Sequence, residues 1–265
     1  MHYLAVCAIY RNEGPYLREW VEFHRLVGVE KFFLYDNSST DDHREQLAPY
    51  VADGCVEVHP WPDNPGQITA YAHCLETRRH QARWIAFIDL DEFFFSPTLA
   101  PVPEILADYE QQPGVVVNWA VFGSSGHKMR PDGLVIENYL WRARDDGRLN
   151  HNVKSVVDPR RTVRSTGVNP HCFTYSDGFA VTEQGHPMDR KPFGMTDEVS
   201  FARLRINHYY IKSEEQWLAK RLSLGANAGV SKRMPPERAG IFTVRDETIT
   251  AYAPAVKDAV AAGAF

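Results

Sequence analysis

Trp84-Ile85-Ala86-Phe87-Ile88-Asp89-Leu90-Asp91-Glu92-Phe93-Phe94-Phe95 is the stretch on which the reading turns. An apolar run from Trp84 to Ile88 is the pattern of a strand buried on both faces. Asp89 and Asp91 stand at its end. Two carboxylates at i and i+2 can bear on one hard cation, directly or through water. Magnesium and manganese prefer oxygen ligands and share such sites with phosphate oxygens. A solvated acidic turn is the ordinary explanation of an Asp-x-Asp. The buried strand before it and the aromatic flank Phe93 to Phe95 favour the metal.

Upstream, strand and helix patterns alternate. Tyr3 to Ile9 is a continuous apolar run and predicts a strand. It lacks a basic leader and a cleavage site, so it is not read as a signal peptide. Pro15 suits a first helical turn, Leu17, Trp20, Val21 and His24 mark one face, and Gly28 stops the helix. Lys31 to Tyr35 predicts a second strand. The polar turn Asp36 to Asp41 then leads into a helix ending near Tyr50, with Ser39 or Thr40 as its cap. Val56 to His59 is a third strand, and Ile68, Tyr71, Ala72 and Leu75 mark another helix face. Such alternation implies right-handed crossovers and a mainly parallel sheet, with ligands bound beyond the carboxyl ends of the strands. The clusters Tyr10-Arg11-Asn12-Glu13, Asp36 to Asp41 and Asp89-Leu90-Asp91 all fall at that edge.

The second half is less regular. Val115 to Phe122, Tyr139 to Trp141, Val153 to Val157 and Arg203 to Ile211 predict strands. A helix from about Ser213 to Leu224 ends at Gly225. The stretch Thr174 to Glu198, rich in Gly, Pro, Asp and Lys, reads as a long binding loop or lid. One α/β domain over residues 1–265 is expected, with a nucleotide-binding half over about 1–112 and an acceptor-side half over about 113–265.

Composition narrows the function. The chain has 265 residues, 44% hydrophobic and 24% charged, which is globular composition. A net charge of −5 argues against sequence-independent nucleic-acid binding, which needs a basic surface. No apolar run approaches the roughly 18 residues of a membrane helix. The four cysteines (Cys7, Cys55, Cys74, Cys172) show no zinc-like spacing and read as free thiols in a reducing cytoplasm.

Other polar residues gather around the same edge. Asp36 can accept bonds from a ribose hydroxyl or a base imide. Arg11, Asn12 and Glu13, with Gln67 and Tyr71 on the flanking helix, are further candidates for the nucleotide pocket. His208, in Asn207-His208-Tyr209, can complete a metal shell. Lys154, Lys212 and Lys220 are candidate diphosphate partners, each acting as a point charge.

Together these residues resemble glycosyltransferase family 92 and its bacterial relatives within the wider family-2-like group. Arg11-Asn12-Glu13, Tyr16-Leu17, Glu19-Trp20-Val21, His24, Gly28-Val29, Tyr35-Asp36-Asn37, Ser39, Asp41, Gln67 and Asp89 to Phe93 carry the resemblance. Asn118-Trp119, Phe122-Gly123, Gly126-His127, Glu137-Asn138-Tyr139, Lys154-Ser155, Asn169-Pro170-His171, Asn207-His208-Tyr209 and Lys212-Ser213 extend it to about residue 225. The resemblance implies a GT-A fold, a divalent metal (usually manganese), a UDP-sugar donor (most often UDP-galactose) and an inverting mechanism in polysaccharide biosynthesis. No membrane anchor or stem is evident, so it implies a bacterial soluble form, cytoplasmic or peripheral at the inner membrane. Its acceptor would be a glycan, a lipid-linked sugar or a glycoconjugate.

An inverting transfer needs one general base at the acceptor hydroxyl. Asp197 and Glu198 are favoured over Glu137, because they close the loop and precede the His208 strand. Trp119, His127 and His171 are candidates for the acceptor side, since flat side chains suit sugar faces. Two rival functions remain: a metal-dependent nucleotidyltransferase and an inactive glycan-binding domain. The first would carry a Gly-rich phosphate loop, and no GxxxxGK[ST] or GxGxxG occurs. The intact Asp-x-Asp argues against the second.

Overall fold

The computed structural model describes residues 1–165, 169–189, 194–223 and 240–263. The strands are β1 (His2–Tyr10), β2 (Lys31–Asp36), β3 (Val56–Pro60), β4 (Ala82–Phe87), β5 (Glu92–Phe95), β6 (Gly114–Val121), β7 (Trp141–Ala143), β8 (Val153–Val157), β9 (Thr162–Ser165), β10 (Phe173–Tyr175), β11 (Val181–Thr182), β12 (Arg205–His208) and β13 (Phe242–Arg245). The helices are α1 (Gly14–Leu26), α2 (His43–Ala52), α3 (Gln67–Arg78), α4 (Val102–Leu106), α5 (Val135–Asn138), α6 (Glu214–Ser223) and α7 (Ala253–Ala262).

A mixed sheet runs in the order β3-β2-β1-β4-β8-β6-β12-β5, with β11 also against β6. β1, β2, β3 and β4 are mutually parallel. β8 is antiparallel to both β4 and β6, β12 is parallel to β6, and β5 is antiparallel to β12. This direction pattern brings the ends of β1, β2, β4, β6 and β12 and the starts of β5 and β8 to one edge. The sheet is α/β and mixed, as expected.

Two apolar layers cover the sheet. On one face α1 buries Leu17, Trp20, Val21 and Phe23 against Val6, Phe32, Ala86 and Phe93. On the other, α3 buries Ala70, Tyr71, Cys74 and Leu75 against Cys7, Phe33, Tyr35 and Phe87. Helix α1 starts with Pro15 in its first turn, and Gly28 past its end sits at φ +105°, where a side chain would be strained.

Several elements differ from the sequence reading. The aromatic flank Phe93 to Phe95 is itself a strand, β5. The strand expected at Tyr139 to Trp141 is shifted to Trp141–Ala143, because residues 135–138 form the short helix α5. The strand expected over Arg203 to Ile211 is confined to Arg205–His208. The Thr174 to Glu198 stretch contains β11, not loop alone. Ser39 and Thr40 do not cap α2. The Ser39 hydroxyl accepts from the Asn12 N–H at 3.0 Å, and the Thr40 N–H donates to Asn12 Oδ1 at 2.7 Å, so both residues tie two loops together. Leu224 and Gly225, expected at the end of α6, lie outside the described residues, as do residues 190–193 of the expected lid. The four cysteines are free. Among the described residues no helix is long and apolar enough to cross a membrane.

Candidate active site

Asp89 follows β4 at the shared edge, and both of its carboxylate oxygens are engaged. Its Oδ2 accepts from Lys154 Nζ at 2.7 Å, and its Oδ1 accepts from Gln67 Nε2 at 2.7 Å and from the Tyr71 hydroxyl at 3.4 Å. Its own N–H donates to Glu92 Oε2 at 2.9 Å. Lys154 is the second residue of β8, and because β8 is antiparallel its first residues meet the end of β4. Both Lys154 and Glu92 are fully buried, with Lys154 Nζ 3.6 Å from Glu92 Oε2. Burial pushes the Glu92 carboxyl well above the usual range; Lys154 opposes this, but Asp89 and Asp91 add to it. For Lys154, burial alone would lower its pKa, but Asp89 and Glu92 outweigh that and raise it. Glu92 Oε1 is buried with no partner.

Asp91 is also buried, with different neighbours. Lys220 Nζ on α6 lies 2.7 Å from Oδ2, and His208 Nε2 at the end of β12 lies 3.5 Å from Oδ1. The Tyr209 N–H donates to the Asp91 carbonyl at 2.8 Å, which fixes the β12 exit against this turn. Burial would raise the Asp91 carboxyl, but the Lys220 ammonium, then His208 and Lys212, hold it well below the usual carboxylate range.

An aromatic wall adjoins His208. The Trp119 ring lies 4.3 Å from the His208 ring and 5.1 Å from the His171 ring, centroid to centroid. Burial, and after it the Lys154 charge, lower the His171 pKa to about 4. Trp119 Nε1, His171 Nδ1 and His208 Nδ1 are buried without hydrogen-bond partners.

The loop after β1 forms the neighbouring rim. Tyr10 is buried beneath it, 5.6 Å from the His43 ring. Arg11 and Asn12 are exposed, and Asn12 sits at φ 56°. Glu13 Oε2 accepts from Lys212 Nζ at 3.2 Å, and that ammonium rests 3.4 Å over the Tyr16 ring. Asp41 caps α1 from a distance, its Oδ2 accepting from the Gly14 N–H at 2.7 Å. A Cβ on residue 14 would meet Asp42 Oδ1 and that same Asp41 oxygen at under 3.0 Å, so a larger residue there would push both carboxylates aside. Asp36 faces inward: Oδ1 accepts from the Ser39 N–H at 2.8 Å and Oδ2 lies 3.4 Å from His43 Nε2.

The structure therefore gathers Gln67, Tyr71, Asp89, Asp91, Lys154 and His208 into one constellation, with Trp119 and His171 beside it. Four expected residues are placed otherwise. Glu137 on α5 pairs with Lys257 of α7 at 2.6 Å. His127 Nε2 is 3.1 Å from the Asn138 carbonyl oxygen, which gives it a structural partner. Asp197 and Glu198 are exposed, on a segment bracketed by Thr196 and Ser200, which both bond the Asn118 side chain. Glu92 was missed as a site residue. A carboxylate opening an all-Phe run was the available signal, because a charge inside an apolar strand requires a buried partner.

The model of glycosyltransferase family 92 matches residues 2–186. A family 92 protein of Ricinus communis is 34% identical over 184 residues, covering 67% of this chain and 32% of that protein. One from Oryza sativa subsp. japonica is 31% identical over 191 residues, covering 71% and 32%. The galactan beta-1,4-galactosyltransferase GALS2 of Arabidopsis thaliana is 28% identical over 116 residues, covering 39% and 22%. The chain thus spans about a third of the length of the first two relatives. Among solved structures, S. aureus TarS 1-349 in complex with UDP-GlcNAc aligns with a TM-score of 0.42 and 13% identity, covering 59% of this chain and 45% of that one. The relatives named here are plant proteins, so they give no support to a bacterial form. With the family model matched over more than half of its length, the chain belongs to glycosyltransferase family 92.

Proposed function

We propose that the chain is the catalytic unit of a metal-dependent glycosyltransferase that moves a hexose, galactose favoured, from a UDP-sugar to a glycan, lipid-linked or glycoconjugate acceptor with inversion. The observation that carries this reading is the pair of carboxylates at one sheet edge, Asp89 locked by Lys154 and Gln67, and Asp91 facing His208. The galactosyltransferases among the relatives support the choice of galactose.

The residues present fit a divalent cation. Two ligands at right angles on one cation, with bonds of about 2.1 Å, lie about 3 Å apart. Asp91 Oδ1 and His208 Nε2 are separated by 3.5 Å and need only a small adjustment. Among the described residues no group of three His, Cys, Asp or Glu side chains could hold a metal. Asp91 and His208 would hold the ion. Asp89, whose oxygens are already engaged, would bear on it through water at most. When bound, the cation supplies neutralisation of the charge that grows on the leaving diphosphate.

The chain's own residues do the rest. Tyr10, Arg11, Asn12, Glu13 and Asp36 shape the nucleoside side over residues of about 1–112. Gln67 and Tyr71 hold Asp89 as a fixed acceptor for donor hydroxyls. Lys154 and Lys212 set a positive field towards the diphosphate. Trp119 and His171 form a flat wall for the acceptor in the half from about residue 113. Asp197 or Glu198 takes the proton of the acceptor hydroxyl, and the Lys257 pairing of Glu137 supports that preference. Four free cysteines agree with a reducing, cytoplasmic setting.

Asp91→Ala tests the reading. Transfer and manganese-dependent UDP binding should both disappear while the circular-dichroism melt stays in place. Near-normal transfer by that variant would remove the assigned role.

A further inference from the structure

We propose that Lys220 is an internal counter-ion that competes with the divalent cation for Asp91, so that cation and nucleoside diphosphate bind together and not independently. The inference rests on the metal site proposed above.

Three lysines approach the constellation, and their settings differ. Lys154 is fully buried between Asp89 and Glu92. Lys212 is buried, with its ammonium against the Tyr16 ring and Glu13. The Lys220 side chain, in contrast, is 44% exposed and reaches Asp91 Oδ2 from the side of α6, its ammonium 5.0 Å from the Tyr210 ring. A long stem in solvent can withdraw its charge without exposing a core.

Lys220 also sits on the carboxylate oxygen of Asp91 next to the one assigned to the cation. Asp91 is 6% exposed, so its charge needs a counter-ion at all times. With Lys220 at Oδ2, that need is met by the protein itself. An ammonium and a divalent cation against one buried carboxylate repel each other unless more negative charge arrives. A nucleoside diphosphate brings that charge and offers the Lys220 ammonium phosphate oxygens. With both ligands bound, Asp91 would face the cation and the Lys220 ammonium would face the diphosphate, so each ligand would favour the other. By linkage the effect is reciprocal.

The test is Mn2+ binding by the full chain, followed through the EPR signal of free Mn2+, with and without UDP. Wild type should bind Mn2+ about tenfold more tightly, or better, when UDP is present. Lys220→Gln should bind Mn2+ about tenfold more tightly than wild type without UDP, and gain less from UDP. Lys220→Arg keeps the charge and should behave like wild type. The inference is overturned if Lys220→Gln, folded by circular dichroism, binds Mn2+ without UDP no better than wild type does. It is likewise overturned if Lys220→Arg matches Lys220→Gln. If no Mn2+ binds to wild type under either condition, the proposed metal site falls as well, and that result is distinct from an unchanged affinity.

Discussion

Asp89 and Asp91 are separated by one residue, yet their surroundings are built from different parts of the chain. The partners of Asp89 come from α3, from the start of β8 and from Glu92, and all but Gln67 are buried. The partners of Asp91 come from the end of β12 and the half-exposed Lys220 of α6. One carboxylate is held by buried partners and the other faces a half-exposed counter-ion. The same contrast separates adjacent residues: Asp91 is held ionised by its cationic neighbours, while burial drives Glu92 towards its protonated form. Groups pushed apart in this way mark a site in which similar side chains do different work.

The largest expected effect is the loss of transfer in Asp91→Ala, about a thousandfold or more, since it removes charge stabilisation of the leaving group. Next comes Lys154→Met, which leaves Asp89 and Glu92 without their shared cation. Breaking a buried charge pair by removing one partner costs about 3–5 kcal/mol, to be read from urea melts. A cost under about 1 kcal/mol would put Lys154 in the same class as a surface lysine and collapse the comparison.

A pH series sharpens the rigid side. His24 lies under β5. Its Nδ1 is 2.7 Å from the Trp20 carbonyl oxygen, and its Nε2 accepts from the Phe94 N–H at 3.1 Å, which fixes a neutral Nδ1–H tautomer. Burial lowers its pKa to about 3. The unfolded chain, with an imidazole pKa of about 6.5, binds one proton more than the folded chain below that pH. Unfolding free energy should therefore fall as pH drops from about 6.5 towards 3, by up to about 1.4 kcal/mol per pH unit from this histidine. His171 adds its own share down to about pH 4. Urea melts at pH 7 and pH 5 check this, and His24→Leu should show a shallower dependence. An equal slope in both proteins would mean that His24 takes up its proton while folded. The smallest effect belongs to Lys220→Gln, which leaves the buried Asp91 beside His208 alone and should cost less than Lys154→Met, about 1–3 kcal/mol in the same melts.

The frame was more legible in the sequence than the counter-ion. Parallel strands buried on both faces write themselves as apolar runs, so β1, β2 and β4 were visible, and with them the edge where Tyr10, Asp36 and Asp89 gather. β5 was hidden because Glu92 to Phe95 has neither alternation nor length and reads as the flank of the acidic turn. The capping role expected of Ser39 and Thr40 failed for a tertiary reason, since Asn12 from another loop claims both. Lys154 was recognised as a candidate but not as the partner of Asp89. That pairing depends on β8 entering the sheet backwards between β4 and β6, and no local pattern encodes strand direction.

This reversed strand makes the site sensitive to a kind of lesion that substitution scans do not probe. Val117 faces Lys154 and Val116 faces Ser155 in the ladder, so successive β8 residues alternate between the two sides of the sheet. Adding or deleting one amino acid just ahead of Val153 would slide the ladder by one step and deliver a hydroxyl or an isopropyl group where the ammonium now meets Asp89. A change in a connecting loop, far from the chemistry in sequence, would thereby rewrite the charge at the centre of the molecule.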